Sequence, residues 1–364
     1  MIYKEYGNTG KKVSALGFGG MRFHKDEYDK NPEICADIVR YANEKGINYF
    51  DTAPNYCDDQ SENIFGLAFK NMPGQFYVST KSMISQEKTA DDVMRRCEKS
   101  LKRLNVEKIN FFHMWCVLNL GQYNKIMAPG GPYEGALKLK EQGLIDHICI
   151  STHANGSEIK DIVEQGCYEG ILMGYNATNF AFRQEGIAAA YKQNMGVVTM
   201  NPLGGGLIPQ NPKFYFYLNE GSTDTLAQAA LRFNISHKEI SVALAGMGSK
   251  AEVDENIVAA QTLNELSSDK LTSLKSRLNS SLDSLCTGCG YCNSCPMEIP
   301  IPKMMDAYNM KIISSSNEEI TNRLSWHWGI TKDLAGKCTQ CGQCEELCTQ
   351  HLPIIERLKE IKAL

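Results

Sequence analysis

The chain has 364 residues, of which 43% are hydrophobic, and its 38 basic and 42 acidic side chains leave a formal net charge of -4. This near balance offers no basic excess for a nucleic acid or another polyanionic partner. No uninterrupted apolar stretch is long enough to span a bilayer, and the N-terminal sequence MIYKEY lacks an apolar signal core, so we expect a cytoplasmic protein without membrane contact. The length allows one large domain and a smaller appendage.

Short β-rich runs alternate with amphipathic helical runs over most of the chain. A polar stretch at the start predicts a hairpin between residues 2–6 and 12–15. Eight further strands are predicted at residues 16–19, 47–51, 76–80, 109–114, 147–150, 170–174, 196–200 and 240–244. Eight β-α units over roughly 265 residues predict an α/β fold, a (β/α)8 TIM barrel, with a doubly wound open sheet as the alternative.

Helix signals lie between these strands. The helix predicted at residues 32–45 has Asn31 as N-cap, Pro32 at its first position and Gly46 just past its end. The helix predicted at residues 89–104 carries acidic residues early and basic residues late, as the helix dipole favours. Such helices would return the chain between successive parallel strands.

Eight of the 14 cysteines fall in two short runs near the C-terminus. The first run has three x2 spacings, and the second has the spacings x2, x2 and x3. Three thiolates at x2 spacing wrap one corner of an iron–sulfur cube, and the fourth cysteine of each run ligates the cluster of the other run. The runs therefore predict two [4Fe-4S] clusters, with cluster one held by Cys286, Cys289, Cys292 and Cys348, and cluster two held by Cys338, Cys341, Cys344 and Cys295.

Two four-cysteine zinc sites are the alternative, but a zinc ribbon uses two CxxC knuckles and has no use for a third cysteine at the same spacing. Residues 303–313 and 317–324 predict helices between the runs, so we expect a small, mostly helical ferredoxin-like domain. Trp326 and Trp328 are expected to pack in the core beside the clusters. We place the barrel at residues 1–282 and the cluster domain at residues 283–364.

In a TIM barrel, chemistry lies where the strands end and the following loops begin. Asp51 ends the second predicted barrel strand, Tyr56 follows it, and Lys81 lies just past the third. Lys81 would pair with Asp51, and its charge would stabilise tyrosinate at Tyr56, which makes the phenol a stronger acid. The joint placement of the three residues predicts a proton-donating site at the barrel mouth.

At these positions the chain resembles the aldo-keto reductases, over essentially the whole barrel. With the cysteine runs, it looks like the branch of that family that bears a C-terminal two-cluster domain. The motifs that carry the resemblance are GFGGMR (17–22), DTAPNY (51–56), SENIFG (61–66), TK (80–81), NPLG (201–204) and EN (255–256). The resemblance implies nicotinamide-dependent carbonyl reduction, with Asp51, Tyr56 and Lys81 as three members of the family's catalytic tetrad.

The resemblance also implies a set of cofactor contacts. Ser151 and Thr152 fall where the carboxamide is held, and Tyr175 falls where a ring stacks on the nicotinamide. Glu255 and Asn256 fall where the adenine is bound. The implied cofactor-binding residues are Gly20, Met21, Ser151, Thr152, Tyr175, Met200, Pro202, Leu203, Gly248, Ser249, Lys250, Glu255 and Asn256.

The chain departs from the family pattern at the fourth tetrad position, which holds Trp115 and not histidine. The indole N–H of Trp115 would replace the missing hydrogen-bond donor, because tryptophan donates and never accepts. His113 precedes Trp115 by two residues and so lies roughly 6.6 Å deeper in the barrel. We expect His113 to be a core histidine, with a displaced catalytic role as the alternative.

Two further departures concern the cofactor. Glu252 lies where an arginine often grips the 2′-phosphate of NADPH, so the cofactor is NADPH or NADH, and NADH is favoured if Lys250 points away. Leu172 or Gly174 stands where a glutamine usually helps to hold the carboxamide, which puts tight nicotinamide binding in question.

The cysteine runs raise a problem of electron count. Each cluster moves one electron, whereas a nicotinamide gives two as a hydride, so coupling them normally needs a flavin or a radical-tolerant substrate. No GxGxxG motif follows a strand. The clusters would feed a substrate or a bound flavin in the barrel, exchange electrons with an external ferredoxin, or act as a structural clasp.

The sequence therefore predicts an oxidoreductase that reduces a small-molecule carbonyl substrate with NADPH or NADH, accompanied by iron–sulfur electron transfer. One alternative is a ferredoxin- or flavin-linked reductase that uses the barrel pocket without nicotinamide. The other is a catalytically weak electron-transfer or sensor subunit, which the missing tetrad histidine favours.

Overall fold

The computed structural model describes residues 1–154, 156–263, 268–276 and 280–364. Strands β1 and β2 pair antiparallel as the predicted hairpin, and β3 to β10 form a closed parallel barrel in which β10 lies beside β3. This closed barrel confirms the predicted (β/α)8 architecture. The strands are Tyr3–Glu5 (β1), Lys12–Ser14 (β2), Leu16–Gly19 (β3), Tyr49–Asp51 (β4), Tyr77–Met83 (β5), Ile109–Val117 (β6), Ile145–Thr152 (β7), Gly170–Gly174 (β8), Gly196–Met200 (β9) and Val242–Gly246 (β10).

The helices form where their sequence signals predict. The Asn31 side chain accepts a hydrogen bond from Glu33 N, and Thr89 forms a capping box with Asp92. No helix among the described residues is long and apolar enough to cross a membrane. The α-helices are Lys25–Lys30 (α1), Pro32–Glu44 (α2), Ser61–Phe69 (α3), Ala90–Leu104 (α4), Leu120–Met127 (α5), Pro132–Glu141 (α6), Gly156–Val163 (α7), Phe180–Lys192 (α8), Leu207–Gln210 (α9), Pro212–Tyr215 (α10), Leu226–Ile235 (α11), Lys250–Ala259 (α12), Ser268–Ser276 (α13), Ile301–Ser314 (α14), Glu318–Asn322 (α15), Gln343–Glu346 (α16) and Ile354–Ala363 (α17).

The barrel interior is closed at one end by Tyr6, which follows β1. Its ring lies 4.0 Å from that of Phe111, measured between centroids. Gly196 leaves room for this ring, because a Cβ there would lie 2.1 Å from Tyr6 Cδ1. The inner cluster consists of Tyr6, Val13, Tyr49, Tyr77, Phe111, Cys149, Leu172, Val198, Val242 and Leu244.

Side-chain alternation extends this inner face toward the carboxyl ends of the strands. Residues two positions beyond a member of the inner cluster also point inward. This rule brings together polar side chains from separate strands, above an apolar floor. By this rule the inward positions include Asp51, Ser79, His113, Ser151, Gly174 and Met200.

Contacts divide the chain into two compact units. Unit 1 comprises Met1–Leu203 and Leu218–Ser267, and unit 2 comprises Gly204–Tyr217 and Ser268–Leu364. The boundary near residue 282 stays a prediction. The contacts additionally group Gly204–Tyr217, which follows β9 in sequence, with the cluster domain.

Unit 2 is mostly helical, as predicted, and its core is built largely from α14, α15 and α17. Buried members include Met304, Ile320 and Leu358. The prediction for Trp326 is wrong, because 88% of this side chain is exposed. Trp328 is half-buried, and its indole N–H donates to Asp306 Oδ2 at 2.7 Å. A π-helical turn at Arg323–His327 carries Trp326, and helical periodicity does not predict such a turn.

Candidate active site and cluster cavities

A buried lysine occupies the barrel interior at the carboxyl end of the strands. Lys81 Nζ donates to Asp51 Oδ2 and to Thr52 O, both at 2.6 Å. Ser79 Oγ donates to the other carboxylate oxygen of Asp51 at 2.7 Å. Burial lowers the pKa of Lys81, and the Asp51 carboxylate opposes this effect. The structure thus contains the pair that the sequence predicted, and it adds Ser79, which sequence reasoning missed.

Tyr56 lies against this pair. Lys81 Nζ is 5.1 Å from the centroid of the Tyr56 ring. Trp115 meets the same ring edge-on, with the two centroids 5.7 Å apart. Trp115 is buried and Tyr56 is half-buried. Four residues predicted from sequence, on β4, β5, β6 and the loop after β4, therefore meet at one place.

The loop that carries Tyr56 has an unusual backbone. Four of the five residues 55–59 have φ between +53° and +67°, the left-handed region. Arg103, at the end of α4, holds this loop with two hydrogen bonds of 2.6 Å to the carboxylate of Asp59. Three of these four residues are Asn or Asp, which tolerate left-handed backbone, and the fourth is Cys57. The Arg103 contact had no signal in the sequence, because the partners lie on different elements.

His113 lies deeper in the barrel, paired in register with Lys81 on β5 and Cys149 on β7. Neither ring nitrogen makes a hydrogen bond of normal geometry in the described part of the chain. Burial and then the positive charge of Lys81 lower the pKa of His113 to about 3, against a smaller opposing effect of the Ile150 backbone. The imidazole is therefore neutral near pH 7, which suits a core histidine. The displaced catalytic role stays a prediction.

The predicted nicotinamide contacts divide into free and occupied groups. Ser151 points inward, and its buried hydroxyl has no hydrogen-bond partner among the described residues. Thr152 is occupied, since its hydroxyl donates to Val117 O at 2.9 Å. Met200 is half-buried and packs against the inner cluster. Among the predicted contacts, Ser151 thus has a buried hydroxyl that is available to a polar ligand in the barrel.

Tyr175 does not reach the barrel interior. Leu172 belongs to the inner cluster, so alternation places Tyr175, three residues later, on the outer face. Its ring stacks on Phe233 with the centroids 6.2 Å apart and meets His237 edge-on at 5.3 Å. The structure therefore does not bring Tyr175 to the nicotinamide position that the resemblance implied. Strand alternation, which is readable from the sequence, was the overlooked signal.

The start of α12 is occupied by protein side chains. Lys250 pairs with Asp37 at 2.6 Å, so it points toward α2. Glu252 Oε2 accepts a hydrogen bond from Gly248 N at 2.7 Å, and Ser249 Oγ accepts one from Glu252 N at 3.2 Å. A carboxylate thus holds a backbone N–H that would otherwise be available to an anion at this helix start.

The other predicted contacts lie at barrel-strand ends or on α12. Gly20 N donates to Asp51 O at 2.8 Å. Glu255 Oε1 accepts a hydrogen bond from Thr225 Oγ1 at 2.8 Å, so this carboxylate is already engaged. Asn256 is buried. The remaining three are Met21 and Leu203, which are half-buried, and Pro202, which is buried.

The eight cysteines of the two runs line two cavities in unit 2. Each predicted ligand set lines one cavity, and Cys292 lines both. No three His, Cys, Asp or Glu side chains of the described residues form a group that could hold a single metal ion. Cavity one is lined by Cys286, Cys289, Cys292 and Cys348. Cavity two is lined by Cys338, Cys341, Cys344 and Cys295.

The surroundings of these sulfurs fit cluster ligands. Gln340 N donates to Cys338 Sγ and Leu352 N donates to Cys348 Sγ, both at 3.4 Å. Backbone N–H groups directed at sulfur are among the contacts that support thiolate-bound clusters. The ligand sets themselves stay a prediction.

The segment after β9 contacts the loop of cavity one within unit 2. Gly205 has φ +70°, and a Cβ there would lie 2.1 Å from Thr287 O. Only glycine permits this approach. Thr287 follows Cys286, and Gly205 follows the predicted cofactor contact Leu203 by two residues.

Comparison with known proteins identifies both parts of the chain. Residues 15–279 match the sequence model of the aldo/keto reductase family, and residues 285–352 match that of the 4Fe-4S dicluster domain. The chain therefore belongs to the aldo/keto reductase family and carries a 4Fe-4S dicluster domain. This assignment confirms the family, and the cluster domain, that the sequence motifs indicated.

Relatives and solved structures agree with the assignment. L-galactose dehydrogenase of Arabidopsis thaliana is 28% identical over 294 residues, which cover 73% of this chain and 90% of that protein. Pyridoxal 4-dehydrogenase of Microbacterium luteolum is 20% identical over 312 residues, covering 69% of this chain and 91% of that protein. The holo form of aldo-keto reductase AKR11C1 from Bacillus halodurans is similar in fold, with a TM-score of 0.63 and 22% identity over 77% of this chain and 97% of its own.

Proposed function

We propose that this oxidoreductase reduces a carbonyl compound with a nicotinamide cofactor, and that Tyr56 donates the proton. The observation that carries the proposal is the buried Lys81–Asp51 pair with Lys81 Nζ 5.1 Å from the Tyr56 ring centroid. Family membership supports the class of reaction.

The proposed proton transfer follows from charge. When bound, a reduced nicotinamide supplies a hydride to the carbonyl carbon. Tyr56 then gives its phenolic proton to the carbonyl oxygen, so that hydride and proton together convert the carbonyl into an alcohol. The Lys81 ammonium stabilises the tyrosinate left behind, and Asp51, held by Ser79, keeps the ammonium in place. Burial strengthens each of these interactions, because the surroundings screen them less than water does.

Trp115 is proposed as the group that contacts the substrate oxygen in place of the family's histidine. Its edge-on contact with the Tyr56 ring supports this role. Neutral His113 is the other candidate. His113 would act only as a neutral hydrogen-bond donor, because its pKa of about 3 means that near pH 7 it lacks the second, imidazolium proton that an acid would transfer.

The cofactor is proposed to be NADH in preference to NADPH. The unpartnered Ser151 hydroxyl suits the carboxamide end of either cofactor. At the other end, Lys250 is paired with Asp37. Glu252, at the position where the resemblance implies the contact to the 2′-phosphate, presents a carboxylate that accepts a hydrogen bond from Gly248 N. With Lys250 engaged, the carboxylate of Glu252 would repel a 2′-phosphate.

Tyr56→Phe tests the proton donor. We expect kcat for aldehyde reduction to fall by about a hundredfold or more, with nearly unchanged affinity for NADH. Tyr191→Phe, at a tyrosine that is 47% exposed, is the matched control and should leave kcat unaltered. Equal turnover in wild type and Tyr56→Phe would move the acid role to another residue.

Cluster-driven reduction without nicotinamide is the second candidate function. The 4Fe-4S dicluster domain favours it, because its clusters would supply electrons one at a time. Holoprotein reduced by dithionite and freed of nicotinamide would convert an aldehyde to its alcohol only if this second function holds. An external ferredoxin, or a bound flavin, would then be the natural electron carrier.

A further inference from the structure

A buried arginine lies beside cavity one. It was predicted neither as a residue of the barrel site nor as a cluster ligand. Arg357, on α17, is 4% exposed. Its Nη2 donates to Ser284 O at 2.8 Å, and its guanidinium lies 4.7 Å from the centroid of the Tyr308 ring. Nη1 has no hydrogen-bond partner in the described residues. A desolvated cation with an unmet donor is costly unless negative charge lies nearby.

Arg357 is tied to cavity one by geometry, because Ser284, whose carbonyl it contacts, lies two residues before Cys286, and Ile354, three residues before Arg357 on α17, lines the cavity. Burial lowers the pKa of Arg357, and Tyr308, the sulfurs of Cys286 and Cys348, and Glu360 oppose this effect. Glu360 is already engaged, because its Oε2 accepts hydrogen bonds from Tyr308 Oη at 2.7 Å and Lys311 Nζ at 2.6 Å. The two sulfurs line cavity one. Thiolates that hold a cluster there would supply the negative charge that Arg357 lacks.

Cavity two has the opposite surroundings. Cys341, one of its sulfurs, is exposed to solvent. Glu345, an acid, directly follows Cys344 in the sequence. The Glu345 carboxylate is fixed in place, because its Oε1 accepts a hydrogen bond from Ile355 N at 2.8 Å. The predicted ligands of cavity one thus lie near a buried cation, whereas a predicted ligand of cavity two is followed directly by an acid.

We propose that Arg357 raises the reduction potential of cluster one, the cluster predicted in cavity one. Uptake of one electron adds one negative charge to a cluster, and a nearby desolvated cation stabilises that charge. At cluster two, the carboxylate of Glu345, next to the predicted ligand Cys344, would oppose the same uptake. The inference rests on the proposed ligand sets and is independent of carbonyl reduction.

The test is an anaerobic redox titration of the full-length holoprotein with dithionite, followed by electron paramagnetic resonance. Arg357→Gln keeps an amide donor for Ser284 O and removes the charge, whereas Arg357→Lys keeps the charge. Lys359→Met, at an exposed lysine on the same helix, is the matched control for net charge. We expect Arg357→Gln to change the reduction equilibrium of one cluster at least tenfold, a fall in its midpoint of about 59 mV. The lysine variant and the control should shift much less.

Cys341→Ser assigns the signals, because it alters a ligand of cluster two alone. A shift that Arg357→Gln produces in the other signal supports the proposal, and a shift in the Cys341-marked signal overturns it. Unaltered midpoints in Arg357→Gln also overturn it.

Iron content decides the case in which Arg357→Gln cannot be loaded. Loss of iron from the glutamine variant, with full iron in Arg357→Lys, supports a requirement for the charge. Loss from both variants shows a packing role and overturns the proposal. None of these measurements uses a carbonyl substrate or a nicotinamide, so failure here is distinguishable from failure of the proposed function.

Discussion

The two units each bury a cation, and the two cations differ in their partners. Lys81 in the barrel is paired with Asp51 and also donates to Thr52 O. Arg357 in the cluster unit donates to the carbonyl of Ser284 and lies over the ring of Tyr308. Its Nη1 has no hydrogen-bond partner in the described residues. The protein itself neutralises the first charge. The second forms no ion pair with a carboxylate of the described residues, and an anionic cluster beside it would supply the missing negative charge.

This difference indicates how each site works. In the barrel site, the charges of Lys81 and Asp51 balance each other, and the proposed role of the pair is to stabilise the tyrosinate of Tyr56. The cluster unit depends on a group that the chain does not encode, so its folding and its metal content are expected to be coupled. The predictions below test that contrast, beginning with the largest expected effect.

Cys292→Ser should have the largest effect, because Cys292 lines both cavities. Anaerobically purified wild type should contain about eight iron and about eight acid-labile sulfide per chain. The variant should lose at least one cluster, or about half of the iron, together with folding energy of unit 2. Cys167→Ser, at a half-buried cysteine outside the two runs, should keep full iron. Stoichiometric zinc without sulfide in the wild type would contradict the account.

Lys81→Met should destabilise the barrel by about 3 to 5 kcal/mol, because it leaves the buried Asp51 carboxylate without its partner. Adding Asp51→Asn should recover most of that loss without recovering activity. Urea unfolding followed by far-UV circular dichroism measures both variants. If the double variant is no more stable than Lys81→Met, the pair is not the balanced charge that we describe.

Trp115→Phe distinguishes two roles of Trp115, as a hydrogen-bond donor and as a side chain that only narrows the pocket. If the indole N–H contacts the substrate oxygen, kcat/KM should fall by roughly 2 to 4 kcal/mol of transition-state stabilisation. If Trp115 only narrows the pocket, Trp115→Phe should be nearly silent, and Trp115→His should raise activity toward small aldehydes. Silence in both variants would argue against hydride chemistry of the family type in this barrel.

His113 should give the smallest effect, as a pH dependence of stability. An unfolded histidine takes up a proton below pH 6.5, whereas folded His113 does so only near pH 3, so unfolding becomes easier as the pH falls between these values. From pH 7.5 to 5.5 the wild type should lose about 1.4 kcal/mol more unfolding free energy than His113→Met. Urea unfolding at both pH values measures this change. An equal loss of unfolding free energy in the two proteins would show that His113 is not held neutral.

Much of this molecule was predictable because its signals are local. Strand periodicity gave all eight barrel strands, and cysteine spacing grouped the residues that line each cavity. The sequence predicted ends for β5 and β6 that are too early. In the structure, pairing between strands extends β5 to Met83 and β6 to Val117, past their apolar runs.

Long-range partners were not predictable in the same way. Ser79 on Asp51, Arg103 on Asp59 and Arg357 beside cavity one each join elements that are distant in sequence. Nothing in the local pattern distinguishes such an arginine from a solvated one. Tyr175 is the exception, since alternation along β8 already excluded it from the barrel interior.

The most direct test of the central claim follows the hydride itself. Anaerobic holoprotein, an aldehyde and NADH dideuterated at C4 should give an alcohol with one deuterium on the former carbonyl carbon, detected by mass spectrometry. Production should be much slower with Tyr56→Phe. An alcohol without deuterium, formed as the clusters are oxidised, would contradict nicotinamide-dependent reduction and would leave the clusters as the source of electrons.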